Sequence, residues 1–331
     1  MCEISENVIA YCRTHMAHGI HGADRQIRPE ADDGYAHHVY MPAIPDIEKD
    51  RLTSVHIREA RFRDLPPFDP DSTLENCRAF CLATTGRRPA EDRLKAELID
   101  ALNQVQVSPI PYLDNKILVS FADSADLWRC LEREGIASPE TAAKPIRDPS
   151  VRKRIVTGIG DALDFIRAVD EPLHRLIVDT VGTIVCLDRQ GQSGSVSSLM
   201  GLFWLSPKDD WRVLDYAENI VHEYIHNAIS IADMTRKIFS HPHHGNRTES
   251  MVLTAILESP RNYNIAFHSL YVSMGLKLFM RQANQPTRAR QIIAGAGLTA
   301  REILRKSEHL TDYGKTWLRL LASGDLELSH S

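Results

Sequence analysis

Apolar residues in much of this chain recur at three- and four-residue intervals, and each such run predicts a helix. Asp71, Ser72 and Thr73 can cap one that carries Cys77, Phe80 and Leu82. Pro89-Ala90-Glu91 opens a second, with Leu94, Leu98, Ala101, Leu102 and Val105. A third runs from Asp123 to Arg133. A long fourth follows Pro149-Ser150, spaced by Ile155, Ile159, Leu163, Ile166 and Ala168. Ahead of these, residues 1–22 begin helically between Ile4 and Cys12 and then turn His- and Gly-rich. Residues 23–70 are rich in Asp, Pro and Arg without a clear period, which reads as loop with short extended pieces.

Beyond residue 175 the pattern changes. Leu176-Ile177-Val178 and the run from Val181 to Leu187 are rich in β-branched residues and read as strands. Gln190 to Ser195 is a turn or loop, and Gly201 to Leu205 is another strand, ended by Pro207. Next comes a helix with Asp215 and Glu218 as a capping-box-like start and Ile220, Val221, Tyr224, Ile225, Ala228, Ile229 and Ala232 spread over much of its circumference. A helix this apolar belongs at the centre of its domain. Residues 241–246 read as a loop. Further helices are expected at about Thr248–Leu257, Asn262–Gln282, Thr299–Lys306 and Asp312–Ala322. The expected fold is therefore α+β and mainly helical, with a small sheet packed on the central helix and an N-terminal helical lobe. Three segments follow: a loop-rich extension over 1–70, a helical lobe over 71–170 and a catalytic domain over 171–331. The site is expected between the lobes.

The 331 residues are 43% hydrophobic and 25% charged, ordinary values for a folded globular chain. A net charge of −5 argues against a nucleic-acid partner. No apolar run is long enough to span a membrane, and the acidic N-terminus lacks a signal-peptide pattern, so a cytoplasmic protein is expected. The six cysteines (Cys2, Cys12, Cys77, Cys81, Cys130 and Cys186) lack metal-site spacing and are expected to be reduced thiols.

Candidate chemistry concentrates in His222-Glu223-Tyr224-Ile225-His226 on the central helix. Histidines four residues apart lie on one helical face, so both imidazoles can reach one metal ion, with Glu223 beside them. A catalytic metal needs a third protein ligand and open positions. Glu249 and Glu258 offer a carboxylate downstream, as in thermolysin-like zinc peptidases; His268 offers an imidazole, and His241, His243 and His244 lie in the intervening loop. With a carboxylate third ligand and zinc, Glu223 would be the general base of a hydrolase. With iron(II), open positions would accept a bidentate 2-oxoacid and dioxygen, and Glu223 would be a supporting residue or a ligand.

From about Asp179 to Gly275, less than a third of the chain, the sequence resembles the HExxH-motif peptide-modification family. Several members of that family are iron(II)- and 2-oxoglutarate-dependent peptide β-hydroxylases. Three stretches carry the likeness: Ser193 to Ser198 followed by Gly201 to Ser206, the helix from Ala217 to His226, and the Pro260-Arg261 segment that leads through Ser259–Tyr271 to His268. The resemblance implies His268 as third ligand, Arg261 on the carboxylate of 2-oxoglutarate and Tyr271 as a pocket residue. It also implies an oxygenase that hydroxylates or desaturates a small-molecule or peptide substrate derived from amino acids, in natural-product tailoring. The chain departs from the family at Asn264-Ile265-Ala266-Phe267, where Gly-Leu-Leu patterns are common. A zinc hydrolase is the alternative.

Overall fold

Side-chain caps start several of the helices. Asp69 accepts hydrogen bonds from the backbone N–H groups of Asp71 and Ser72 and starts α1 (Pro70–Thr85), which ends at Gly86 in the left-handed conformation, φ 74°. The cap is thus two residues earlier than Asp71. α2 spans Leu94–Val105, and Ser124 caps α3 (Ala125–Arg133). Asp148 caps α4 (Pro149–Val169), and Asp170 accepts from Leu173 N at 2.9 Å to start α5 (Glu171–Thr180). The computed structural model describes residues 62–189, 193–240, 251–254, 259–293 and 296–321. The expected helix near Ile4 and the bulk of the loop-rich extension lie outside these residues.

The strand expected at Leu176-Ile177-Val178 is instead the second half of α5. Leu173, Leu176, Ile177 and Thr180 form its buried stripe at helical spacing. Three β-branched or leucine residues in a row are outweighed by that stripe and by the Asp170 cap.

The sheet contains β1 (Leu118–Ser120), β2 (Lys144–Pro145), β3 (Thr183–Asp188), β4 (Gly194–Ser195) and β5 (Leu202–Leu205). Its order is β1-β3-β5-β4. β3 runs parallel to β1 and β5, β4 is antiparallel to β5, and β2 pairs antiparallel with the end of β3. Alternation along the strands sends side chains to two hydrophobic clusters. Ile184, Cys186, Phe203 and Leu205 face one, shared with α4 and α5; Val185, Leu187, Leu202 and Trp204 face the other, shared with α1, α2 and α3. Both faces are thus covered by helices, as parallel strands require. β1 and β2 come from the 71–170 stretch and complete the same sheet as β3 and β5.

α6 (Val213–Thr235) carries the HExxH residues. Its start differs from expectation: Asp215 is the third helical residue, and its carboxylate accepts from Arg212 N at 2.7 Å. Glu218 forms a two-pronged pair with Arg288 instead of capping. A hairpin, β6 (Met251–Thr254) and β7 (Ser259–Asn262), replaces part of the helix expected over Thr248–Leu257. Val252 is fully buried in this hairpin opposite Arg261, so pairing with β7 decides a short run that could have been helical. α7 (Tyr263–Gln282), α8 (Pro286–Ile293), α9 (Ala296–Arg305) and α10 (Asp312–Leu321) follow. α6 packs on α1, α4 and α7. The architecture is mainly helical with a small sheet, and no helix among the described residues is long and apolar enough to cross a membrane.

Candidate metal centre

α6 and α7 approach closely because Gly275 has no side chain. A β-carbon there would sit 2.3 Å from the Phe68 ring and 2.8 Å from Ile225 Cδ1. Two turns before Gly275, at the same face of α7, stands His268. Its ring stacks on that of His226, with centroids 5.3 Å apart and planes at 17°. The two Nδ1 atoms are 3.1 Å apart. His222, one turn earlier on α6, lies with its ring centroid 5.1 Å from that of His226. Residues distant in sequence thus converge across the α6–α7 contact.

The environment keeps the inner pair neutral. Burial holds His226 well below the usual histidine range, reinforced by the neighbouring His222 and His268. Burial pushes His268 down to about 4. Neutral imidazoles keep the lone pairs that a metal needs. For metal–nitrogen bonds of about 2.1 Å, two nitrogens on one ion stand roughly 3.0–3.4 Å apart at tetrahedral or octahedral angles. The His226–His268 separation falls in this range; it also equals a hydrogen bond between two neutral rings. Among the described residues, no three His, Cys, Asp or Glu side chains stand in a closed ligand set. His226 and His268 form the pair. His222, with 39% of its side chain exposed, lies at the solvent edge and would have to turn inward to complete a trio.

Glu223 is almost fully buried. Its Oε2 accepts from Ser195 Oγ at 2.8 Å, and its Oε1 lies 3.9 Å from His222 Nε2. Burial raises its carboxyl above the ordinary range, opposed by His222 and the serine hydroxyls. The Ser/Gly stretch before β5 supplies those hydroxyls, Ser195 to Glu223 and Ser193 to Asn219. The strand β4 therefore positions the acidic residue of the motif.

Arg261 lies on β7, just before α7, and its Nε is buried with no hydrogen-bond partner among the described residues. Tyr271 is placed differently from the pocket role expected for it. Its ring packs between Phe267 and Trp317, and its hydroxyl donates to the Trp317 carbonyl at 2.6 Å, directed at α10 rather than at the histidines. Glu249, Glu258, His241, His243 and His244 lie outside the described residues.

Three contributors went unforeseen. Phe239 stacks on His268, centroids 6.2 Å apart, and is held by Asp233, which accepts from the Ile238 and Phe239 N–H groups. Asn227, the residue after the second motif histidine, accepts from Gly201 N at 3.1 Å and reaches the Thr180 carbonyl at 3.4 Å. A lone amide in so apolar a helix was its signal. Gly275 carried none beyond being a helix-interior glycine. No family model matches this chain, and no curated protein is significantly similar to it.

Proposed function

We propose that the protein is an iron(II)- and 2-oxoglutarate-dependent oxygenase that hydroxylates or desaturates an amino-acid- or peptide-derived substrate in natural-product tailoring. The observation that carries this reading is the 3.1 Å approach of His226 and His268 Nδ1, two half-buried neutral donors from separate helices with His222 adjacent. Neutral imidazoles suit iron(II) and leave positions free for other ligands. The orphaned Nε of Arg261 supports the co-substrate, because a carboxylate would satisfy this buried N–H. Bound iron(II), with 2-oxoglutarate and dioxygen, supplies the oxidising power. The chain's residues supply placement: His226 and His268 hold two positions, His222 turns in to the third, and Arg261 orients the co-substrate carboxylate. Glu223, held by Ser195, orients His222 rather than activating water. Buried Phe267 and Ile225, with Phe239 stacked on His268, give the inner donors an apolar surround.

One observation favours a second reading. Glu223 is a buried carboxyl with a raised pKa beside His222, which is how the general base of a zinc hydrolase would stand. Glu223→Gln separates the two. The oxygenase reading predicts that this variant retains part of the iron-dependent conversion of 2-oxoglutarate to succinate. It also predicts that Arg261→Gln raises the KM for 2-oxoglutarate by about 10- to 100-fold, the loss of one charge-assisted contact. Absence of that conversion in the parent protein, with zinc-dependent peptide cleavage abolished by Glu223→Gln, would establish the hydrolase instead.

A further inference from the structure

Three hydrogen-bonding atoms at one end of the sheet are buried and have no partner among the described residues: Arg189 Nε, Trp204 Nε1 and Ser206 Oγ. Trp204 is 8% exposed and Ser206 5%. Trp204 shares its face of β5 with Leu202, and the two-residue period carries that face on to Ser206. On the neighbouring strand, the period that puts Val185 and Leu187 on this face puts Arg189 there too. The guanidinium carbon of Arg189 lies 5.1 Å from the Trp204 ring centroid, which confirms the placement. β3 and β5 are parallel. Arg189 and Trp204 therefore meet at the carboxyl ends of two adjacent parallel strands, where parallel sheets receive ligands, and Ser206 is the first residue past β5.

This cluster is built differently from the histidine site and does not depend on what that site does. It lies on the opposite face of the sheet from Phe203 and Ser195, which pair with each other in β5 and β4, and Ser195 is the residue that reaches Glu223. Arg189 is half-buried and forms no ion pair among the described residues; burial lowers its pKa. A buried donor left unpaired is destabilising, and a ligand that accepts from it removes that penalty. The Trp204 indole is locked in place: Gly194, its partner across β4 and β5, lies so close that a β-carbon would stand 2.2 Å from the ring.

We infer that Arg189, Trp204 and Ser206 form a binding site for an oxyanion, carried by a small carboxylate ligand. The guanidinium and the indole N–H can only donate, and the serine hydroxyl is free to donate, so one group with several acceptor oxygens and negative charge satisfies all three. The ligand enters from the side of Arg189, the exposed member. A free phosphate shares this chemistry.

The test is calorimetric titration of the full chain with succinate and, separately, with inorganic phosphate, at ionic strength matched with chloride. Saturable succinate binding that weakens at least tenfold in Arg189→Met and severalfold in Ser206→Ala, and that persists in Arg261→Gln, is the expected result. Phosphate binding with the same mutational pattern and no succinate binding would support the oxyanion site with phosphate as its source. Cooperative thermal unfolding of Arg189→Met checks that the variant is folded. No saturable binding of either anion, binding unaffected by Arg189→Met, or binding lost in Arg261→Gln alone would overturn the inference.

Discussion

Gly275→Ala tests the contact that brings His268 to His226. The added methyl would sit 2.3 Å from the Phe68 ring and 2.8 Å from Ile225 Cδ1, where ordinary carbon contacts lie near 3.5–4.0 Å. Phe68 cannot swing clear. It is 2% exposed and packs against Tyr224, whose hydroxyl is fixed on the Pro67 carbonyl. Two effects compete. Alanine gains about 1 kcal/mol over glycine in a helix interior. Overpacking a filled core costs about 1–3 kcal/mol. With two contacts this short, one to an immobile ring, overpacking should prevail, for a net loss of up to about 2 kcal/mol. Each kcal/mol is read as a Tm lower by roughly 2–4 °C, or as a lower urea midpoint at unchanged slope. Phe68→Leu in the same chain should relieve part of the clash, so the double variant loses less than the sum of the singles. A Gly275→Ala protein more stable than the parent would show propensity acting alone, and would refute the close helix crossing.

Two further predictions probe the frame around the site. Lys95 Nζ is buried and donates to the Lys116 and Val178 carbonyls at 2.9 and 2.7 Å; burial lowers its pKa from 10.5 to about 8, with Asp179 and Asp114 opposing. Between these values the unfolded chain holds a proton that the folded chain has released, so stability rises with pH across about 8 to 10.5, by at most about 3 kcal/mol. The stability difference between the parent and Lys95→Met should change by that amount over the window, and a difference independent of pH would contradict the burial argument. Asn227→Ala leaves the buried Gly201 N–H unpaired and should cost about 1–3 kcal/mol in urea unfolding; a loss below about 0.5 kcal/mol would show that water replaces the amide.

Legibility in the sequence followed the range over which each feature is encoded. α4, α6 and α7 were visible because their apolar stripes run for several turns. β3 and β5 were visible as β-branched runs bounded by turn residues. Leu176-Ile177-Val178 misled because three residues carry no period of their own; the deciding signals were the Asp170 cap and a stripe beginning at Leu173. The β6–β7 hairpin was missed because the pairing of Val252 with Arg261 is tertiary, and nothing local to residues 248–257 states it. At the site, His222 and His226 are coupled by helical spacing alone. His268 is coupled to them only through a helix crossing, so spacing left it one candidate among several and the resemblance singled it out. Tyr271 shows the limit of that route: three residues from His268, it turns to Trp317, whose carbonyl accepts from its buried hydroxyl. The oxyanion cluster could not be read at all, since Arg189, Trp204 and Ser206 meet only through the register of two strands.

The most direct test of the proposed chemistry is anaerobic addition of iron(II) and then 2-oxoglutarate, followed by visible absorption. The account predicts a metal-to-ligand band in the parent protein that is lost in His268→Ala and retained in Tyr271→Phe. No band in the parent, together with tight zinc binding and peptide cleavage, or a band that survives His268→Ala, would contradict it.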